Sequence, residues 1–148
     1  MGCFDVIVRK LESHNWQAAS GLYAQLNSHR GGQLGDQAQF EAIIGHPGTS
    51  IFGAFQEGLL CAIATLHLLP NMSYAGRPYG LIENVVADAE MRKAGLGRAV
   101  MQTAIDAARE AGAYKVMLLT GRANDAMGFY EKLGFNADEK AGMILRFP

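Results

Sequence analysis

The segment from Tyr79 to Thr120 constrains this chain more than any other. An apolar stretch, Tyr79 to Val86, leads into Met91-Arg92-Lys93-Ala94-Gly95-Leu96-Gly97-Arg98, then a helical stretch from Gly97 to Ala111, then a second apolar run from Tyr114 to Thr120. The helix is the clearest in the chain: Val100, Ala104, Ala107, Ala108 and Ala111 share one face, and Gly112 ends it. Two strands joined through a helix must lie parallel, with a crossover. Earlier, Ser50 to Gln56 and Leu59 to Leu69 flank Glu57-Gly58 and read as an antiparallel hairpin.

The remaining elements follow from the same patterns. Phe4 to Leu11 is an expected strand and Ser13 to Asn27 an expected helix. A short helix capped by Asp36 stops at Gly45-His46-Pro47, and Pro70 to Pro78 is an irregular loop. Asn124 to Leu133 is a short helix closed by Gly134, and Met143 to Phe147 a last strand. The order β-α-α-β-β-β-α-β-α-β predicts an α/β (α+β) fold. Its central sheet is mixed and mostly antiparallel, with one parallel pair and helices on both faces. At 148 residues the expectation is one domain, 1–148.

Composition narrows the function. Thirteen Lys and Arg against 14 Asp and Glu give a net charge of −1, so no nucleic-acid partner is expected. No run approaches 18 apolar residues and the start lacks a basic region followed by an apolar stretch, so neither a membrane span nor a leader is expected. Cys3 and Cys61, the only cysteines, cannot make a disulfide framework or a four-cysteine zinc site. A reduced, cytoplasmic setting is the expectation. His14, His29, His46 and His67 have no ligand spacing, so no metal is implied.

The glycine turn before the long helix carries the chemistry. Glycines let the backbone approach a ligand closely. The helix start leaves N–H groups unpaired and points its positive end at the same spot, and Arg92, Lys93 and Arg98 add charge. The product is a pocket for a phosphate or pyrophosphate. A mononucleotide P-loop is absent, and Gly95-Leu96-Gly97-Arg98-Ala99-Val100 fails the dinucleotide fingerprint at its third glycine. What fits is Arg-x-x-Gly-x-Gly, as Arg92-Lys93-Ala94-Gly95-Leu96-Gly97.

This turn resembles that of the GNAT-type N-acetyltransferases, where it holds the acyl-CoA pyrophosphate. Leu81-Ile82-Glu83-Asn84-Val85-Val86 is similar to the family's fourth strand, whose splayed end takes the pantetheine arm. Ala126-Met127-Gly128-Phe129-Tyr130-Glu131-Lys132-Leu133-Gly134-Phe135 resembles its second cofactor motif. Within the family, Ile82 to Val86 and Tyr114-Lys115-Val116 look most like the glucosamine-6-phosphate N-acetyltransferase branch, which has Glu-Asp where this chain has Glu83-Asn84. The resemblance implies acetyl-CoA as cosubstrate, held by Val85, Val86, Ala87, Arg92, Lys93, Ala94, Gly95, Leu96, Gly97, Arg98, Asn124 and Phe129. Many members place a cofactor-binding Asn six residues before the Phe of Phe-Tyr. Here that position is Ala123, and Asn124 either meets the same atoms or caps the helix. Family members are commonly homodimers, and the resemblance implies one here.

Acyl transfer to an amine needs a neutral nitrogen, and a lysine-like amine with a pKa of about 10.4 is neutral about once in a thousand near pH 7. A base that takes the proton as attack begins is useful. Glu83, a carboxylate in an apolar strand, is the candidate, with burial expected to raise its pKa. The alternative is a structural carboxylate paired with an Arg or a backbone N–H. By resemblance Tyr130 protonates the leaving thiolate, and a backbone N–H near Val85, freed by a strand bulge, receives the carbonyl oxygen. Cys61 reads as a core residue rather than a nucleophile. His67, Arg77, His29 and Arg30 face either an acceptor or solvent, and Arg122 binds either an acidic group of the substrate or a cofactor phosphate. The expected function is N-acetyltransfer from acetyl-CoA to a primary amine of a small molecule, by direct attack in a ternary complex. A protein or peptide amine, or an acyl-CoA-binding regulatory domain without transfer, is the alternative.

Overall fold

A computed structural model of the chain describes residues 5–28, 31–91, 94–123 and 125–148. Five strands form one sheet in the order β1-β2-β3-β4-β5: β1 (Val6–Lys10), β2 (Thr49–Gln56), β3 (Leu59–Leu69), β4 (Tyr79–Ala87) and β5 (Val116–Met117). The first four are antiparallel neighbours, and β5 runs parallel to β4. This is the mixed sheet that the element pattern predicts. The turn between β2 and β3 has φ of +51° at Glu57 and +78° at Gly58. Two consecutive positive φ values give the primed turn whose twist matches a hairpin.

Helices cover both faces. On one, α1 (Trp16–Asn27) and α2 (Gln37–Ile44) bury Ala19, Leu22 and Phe40 against Ile51, Phe55, Ile63 and Val86. The rings of Trp16 and Phe40, 5.4 Å apart, join the two helices. On the other face, α4 (Leu96–Glu110) buries Leu96, Val100, Met101, Ala104 and Ala108 against Ala54, Ala62, Ala64, Leu66 and Ile82. Two short elements complete the set: α3 (Ser73–Gly76), one turn in the loop before β4, and α5 (Met127–Lys132).

Local chemistry sets the helix ends. Asp36 caps α2 as expected: its carboxylate accepts the Gln39 N–H at 2.9 Å, and the Gln39 side chain accepts the Asp36 N–H at 2.8 Å. The expected helix from Ser13 divides into a 3₁₀ turn, Ser13–Asn15, and α1 proper. The division falls at Asn15, whose side chain turns back to accept the Glu12 N–H at 2.8 Å. At the far end of the molecule, Tyr74 and Ala75 have φ of +54° and +59°. Tyr74 is held in that left-handed conformation while its ring stacks on Tyr114 at 4.0 Å.

Three further expected elements differ. The strand from Tyr114 to Thr120 shortens to Val116–Met117, because its ladder with β4 ends at Leu81. The last helix starts at Met127 rather than Asn124, itself outside the described residues. Met143 to Phe147 forms no strand: Met143, Leu145 and Phe147 are exposed. Apolar residues supply strand propensity but not a partner, and none of the five strands pairs with this segment. Phe4, expected on the first strand, also lies outside the described residues.

Candidate active site

The site begins where β4 leaves its neighbours. Between the pairs Ile63–Val86 and Thr65–Glu83, β3 has one residue and β4 has two. The extra residue makes a bulge, and Asn84 takes it with φ of +53°. Asparagine is one of the few side chains that tolerate this conformation. The bulge reverses the alternation of the strand. Ile82 packs with the α4 face and Val86 with the α1 face, although an even spacing would put them on one side. Val85 and Ala87 turn toward α4.

On the other side of β4, β5 pairs only at Gly80–Val116 and Leu81–Met117. Past Leu81 the parallel strands part. The bulge and the parting fall within a few residues of each other, and Val85 is paired in neither ladder.

Glu83 stands at this point, directly across from Thr65. Cross-strand neighbours share a face, with Cβ atoms about 5 Å apart. Thr65 is buried and hydrogen-bonds Tyr23 of α1, so Glu83 lies on the α1 face. It is half-buried. Burial pushes the Tyr23 phenol above its usual range, and the bond to Thr65 partly offsets that. Sequence patterning singled out Glu83 but not Tyr23 or Thr65. The available signal was the threonine inside Cys61-Ala62-Ile63-Ala64-Thr65-Leu66, a polar residue in an otherwise apolar strand.

The glycine turn closes the other end. Gly95 has φ of +77°, a conformation that suits glycine, and precedes α4 with no side chain capping the helix. The N–H groups of the first turn are therefore not met by a capping side chain, as an anion requires. Gly97 sits between α5 and β4: a Cβ there would lie 3.7 Å from Phe129 Cζ and 3.8 Å from Ala87 Cβ. The turn, the end of β4 and the second motif thus meet in space. Ala94 and Arg98 are exposed, while Leu96 is fully buried and anchors the turn to the core. Arg92, Lys93 and Asn124 lie outside the described residues.

Tyr130 is half-buried on α5, edge-on to Phe129 at 5.1 Å and to Phe135 at 6.1 Å. Two neighbouring rings, Phe129 and Phe135, flank it. Other candidates are placed elsewhere. Arg77 donates to the Gly112 and Ala113 carbonyls at 2.9 and 3.1 Å, closing the C-terminal end of α4. His67 shares the Thr49 hydroxyl with His46, at 3.0 and 3.1 Å. Cys61 is buried, its thiol pointed at the Leu59 carbonyl and pushed up by burial, as suits a core residue. His29, Arg30 and Cys3 lie outside the described residues, and Arg122 is exposed. Among the described residues no cluster could hold a metal ion, and no helix is long and apolar enough to cross a membrane.

Comparison with known proteins agrees with this architecture. The acetyltransferase (GNAT) family matches residues 10–135. The chain is 38% identical over 92 residues to glucosamine 6-phosphate N-acetyltransferase of Trypanosoma brucei brucei, covering 62% of this chain and 61% of that protein. It is 34% identical over 82 residues to a probable glucosamine 6-phosphate N-acetyltransferase 2 of Oryza sativa subsp. japonica, covering 55% of this chain and 48% of that protein. These matches span about half to three fifths of the curated relatives' length. A putative acetyltransferase from Agrobacterium tumefaciens superposes with a TM-score of 0.86 at 38% identity, over 95% of this chain and 99% of that one. The chain belongs to the acetyltransferase (GNAT) family.

Proposed function

We propose that this protein moves the acetyl group of acetyl-CoA to a primary amine of a small molecule, by direct attack within a ternary complex. The observation that carries this reading is that the Asn84 bulge, the parting of β4 from β5 and the uncapped start of α4 occur along one strand and the turn that follows it, with Gly97 packed against Ala87 and Phe129. A pyrophosphate suits the helix start, and an extended pantetheine arm suits backbone groups of Val85, Val86 and Ala87. Arg92, Lys93 and Arg98 supply charge and Phe129 a packing surface, with Asn124 the further cofactor contact.

In this reading the amine nitrogen attacks the thioester carbon from the α1 side. Its surplus proton goes to Glu83, the carbonyl oxygen is received by the Val85 N–H, and the carbon–sulfur bond breaks. The departing thiolate takes its proton from Tyr130. A thiol of pKa about 8.5 leaving beside a phenol of pKa about 10 needs only a short, oriented proton transfer. The names of the curated relatives make glucosamine 6-phosphate the first acceptor to try. The protein acting as a cytoplasmic homodimer belongs to the same proposal.

A thiol-release assay with acetyl-CoA over amino sugars and their phosphates, polyamines and amino acids tests the reading. Turnover on at least one amine is expected. Tight acetyl-CoA binding with no turnover on any of them would replace the enzyme with a binding module. Tyr130→Phe is expected to lower kcat about 100-fold while acetyl-CoA affinity stays within twofold, and an unchanged kcat would remove Tyr130 from the chemistry.

A further inference from the structure

Helix α1 does more than cover the sheet. From its last turn the Gln25 carboxamide reaches the segment that follows β4. Its Oε1 accepts the Ala89 N–H at 3.0 Å, and its Nε2 donates to Asp88 Oδ2 at 3.4 Å. The other oxygen of Asp88 accepts the Glu90 N–H at 2.9 Å. The Asp88 N–H donates to the Cys61 carbonyl at 2.7 Å, and the Met91 N–H returns to the Asp88 carbonyl at 3.0 Å. The turn from Asp88 to Met91 is therefore tied to β3, to itself and to α1. The tie to α1 runs through one side chain more than 60 residues away in sequence.

That turn leads into the glycine turn. The Ala94 N–H bonds the Met91 carbonyl at 3.1 Å, and Gly95 and α4 follow at once. A shift of the Asp88–Met91 turn moves Ala94 and Gly95 with it, and displacements near 1 Å are enough to degrade a binding geometry. Glutamine also has three freely rotating bonds to immobilise, an entropic cost that an alanine at a half-buried helix position would not carry.

We infer that Gln25 is a positioning residue for the cosubstrate: by clamping the Asp88–Met91 turn to α1, it fixes where the Ala94–Gly97 backbone meets the acetyl-CoA pyrophosphate. This rests on the reading of the glycine turn as the pyrophosphate site. Gln25 itself touches no reacting atom. Nor is the clamp a generic polar contact, because its donors and acceptors have a fixed order. Gln25 must accept from Ala89 and donate to Asp88, while Asp88 must accept from both Gln25 and Glu90.

That order can be reversed. Gln25→Glu keeps the acceptor for Ala89 but sets a second carboxylate against Asp88. Adding Asp88→Asn restores a full set: the new amide donates to the new carboxylate, and its oxygen still accepts from Glu90. The experiment titrates coenzyme A calorimetrically into the intact wild-type chain, Q25E and Q25E/D88N, with melting curves and steady-state kinetics beside it. Q25E is expected to weaken coenzyme A binding about tenfold. KM for acetyl-CoA should rise in step, with kcat and the amine KM within twofold. Q25E/D88N is expected to return to within about threefold of wild type. Equal coenzyme A affinity in wild type and Q25E would overturn the inference and leave the acetyl-CoA reading intact, as would a defect that the second substitution does not relieve. A wild-type chain giving no heat with coenzyme A would overturn the reading itself, and the inference with it.

Discussion

On the α4 face of the sheet the buried side chains are Phe52, Ala54, Cys61, Ala62, Ala64, Leu66 and Ile82, closed by five apolar residues of the helix. On the α1 face the buried set is interrupted. Thr49 and Thr65 sit among Ile51, Phe55, Ile63 and Val86, with Tyr23 bonded to one threonine and His46 and His67 to the other. Both faces draw on alternate residues of the same strands. The difference shows how one sheet divides its work. The small residues of β3 let α4 lie close and bury its whole stripe, which stabilises the fold. The opposite face gives up some of that burial for hydroxyls and a carboxylate. Each of those groups must then find a partner, because an unsatisfied buried polar atom costs about 1–3 kcal/mol.

Substitutions on the two faces should fail in different ways. The largest effect is expected from Glu83→Gln, on the α1 face: kcat falls about 100- to 10,000-fold while the melting temperature moves little. The loss should be greatest below the pKa of the amine, where the base is most needed. Stopped assays across pH check this, and an unaltered pH profile would make Glu83 structural. Next is Met101→Ala on the α4 face, which should cost about 2–5 kcal/mol and lower the melting temperature by roughly 5–15 °C, leaving kcat per folded molecule unchanged. Met101 is fully buried, so the neighbouring helix and sheet must accommodate the cavity.

Smaller effects sharpen the same contrast. Tyr23→Phe removes the bond to Thr65 and should cost about 0.5–1.5 kcal/mol at neutral pH. The wild-type phenol ionises at higher pH in the folded chain than in the unfolded one. Its contribution is therefore complete below about pH 10 and is lost as pH rises through the raised folded value. Melting curves between pH 8 and pH 11 should show wild type losing its advantage over the variant. The smallest effect is at Cys61. Its thiol should resist iodoacetamide at pH 8 until the chain unfolds, and Cys61→Ala should leave kcat within twofold. Fast labelling of the native protein would show that the α4 face is less closed than its packing indicates.

Much of this was readable from residue order. The hairpin at Glu57-Gly58 needs positive φ twice, and the Asp36 cap and the apolar stripe of α4 are local patterns, so each predicted its element. The Met143–Phe147 strand failed because a strand exists only with a neighbour, and apolar composition does not name one. Tyr114 to Thr120 was over-read for a related reason: its partner bends away at a bulge that a single asparagine creates. Tyr23, Thr65 and Gln25 left little trace in the sequence, since each matters through a residue 18 to 64 positions away.

The sequence by itself determined the pieces: a glycine turn ahead of a strong amphipathic helix, an acid in an apolar strand, and an aromatic pair before a closing glycine. These depend on backbone freedom and on short-range periodicity, which act over a few residues. Only the tertiary structure decided that the turn, the end of β4 and the second aromatic motif meet at Gly97, and which helix holds the turn in place. Those relations depend on strand register and on side chains that cross between elements, and neither is encoded in any one stretch of the chain.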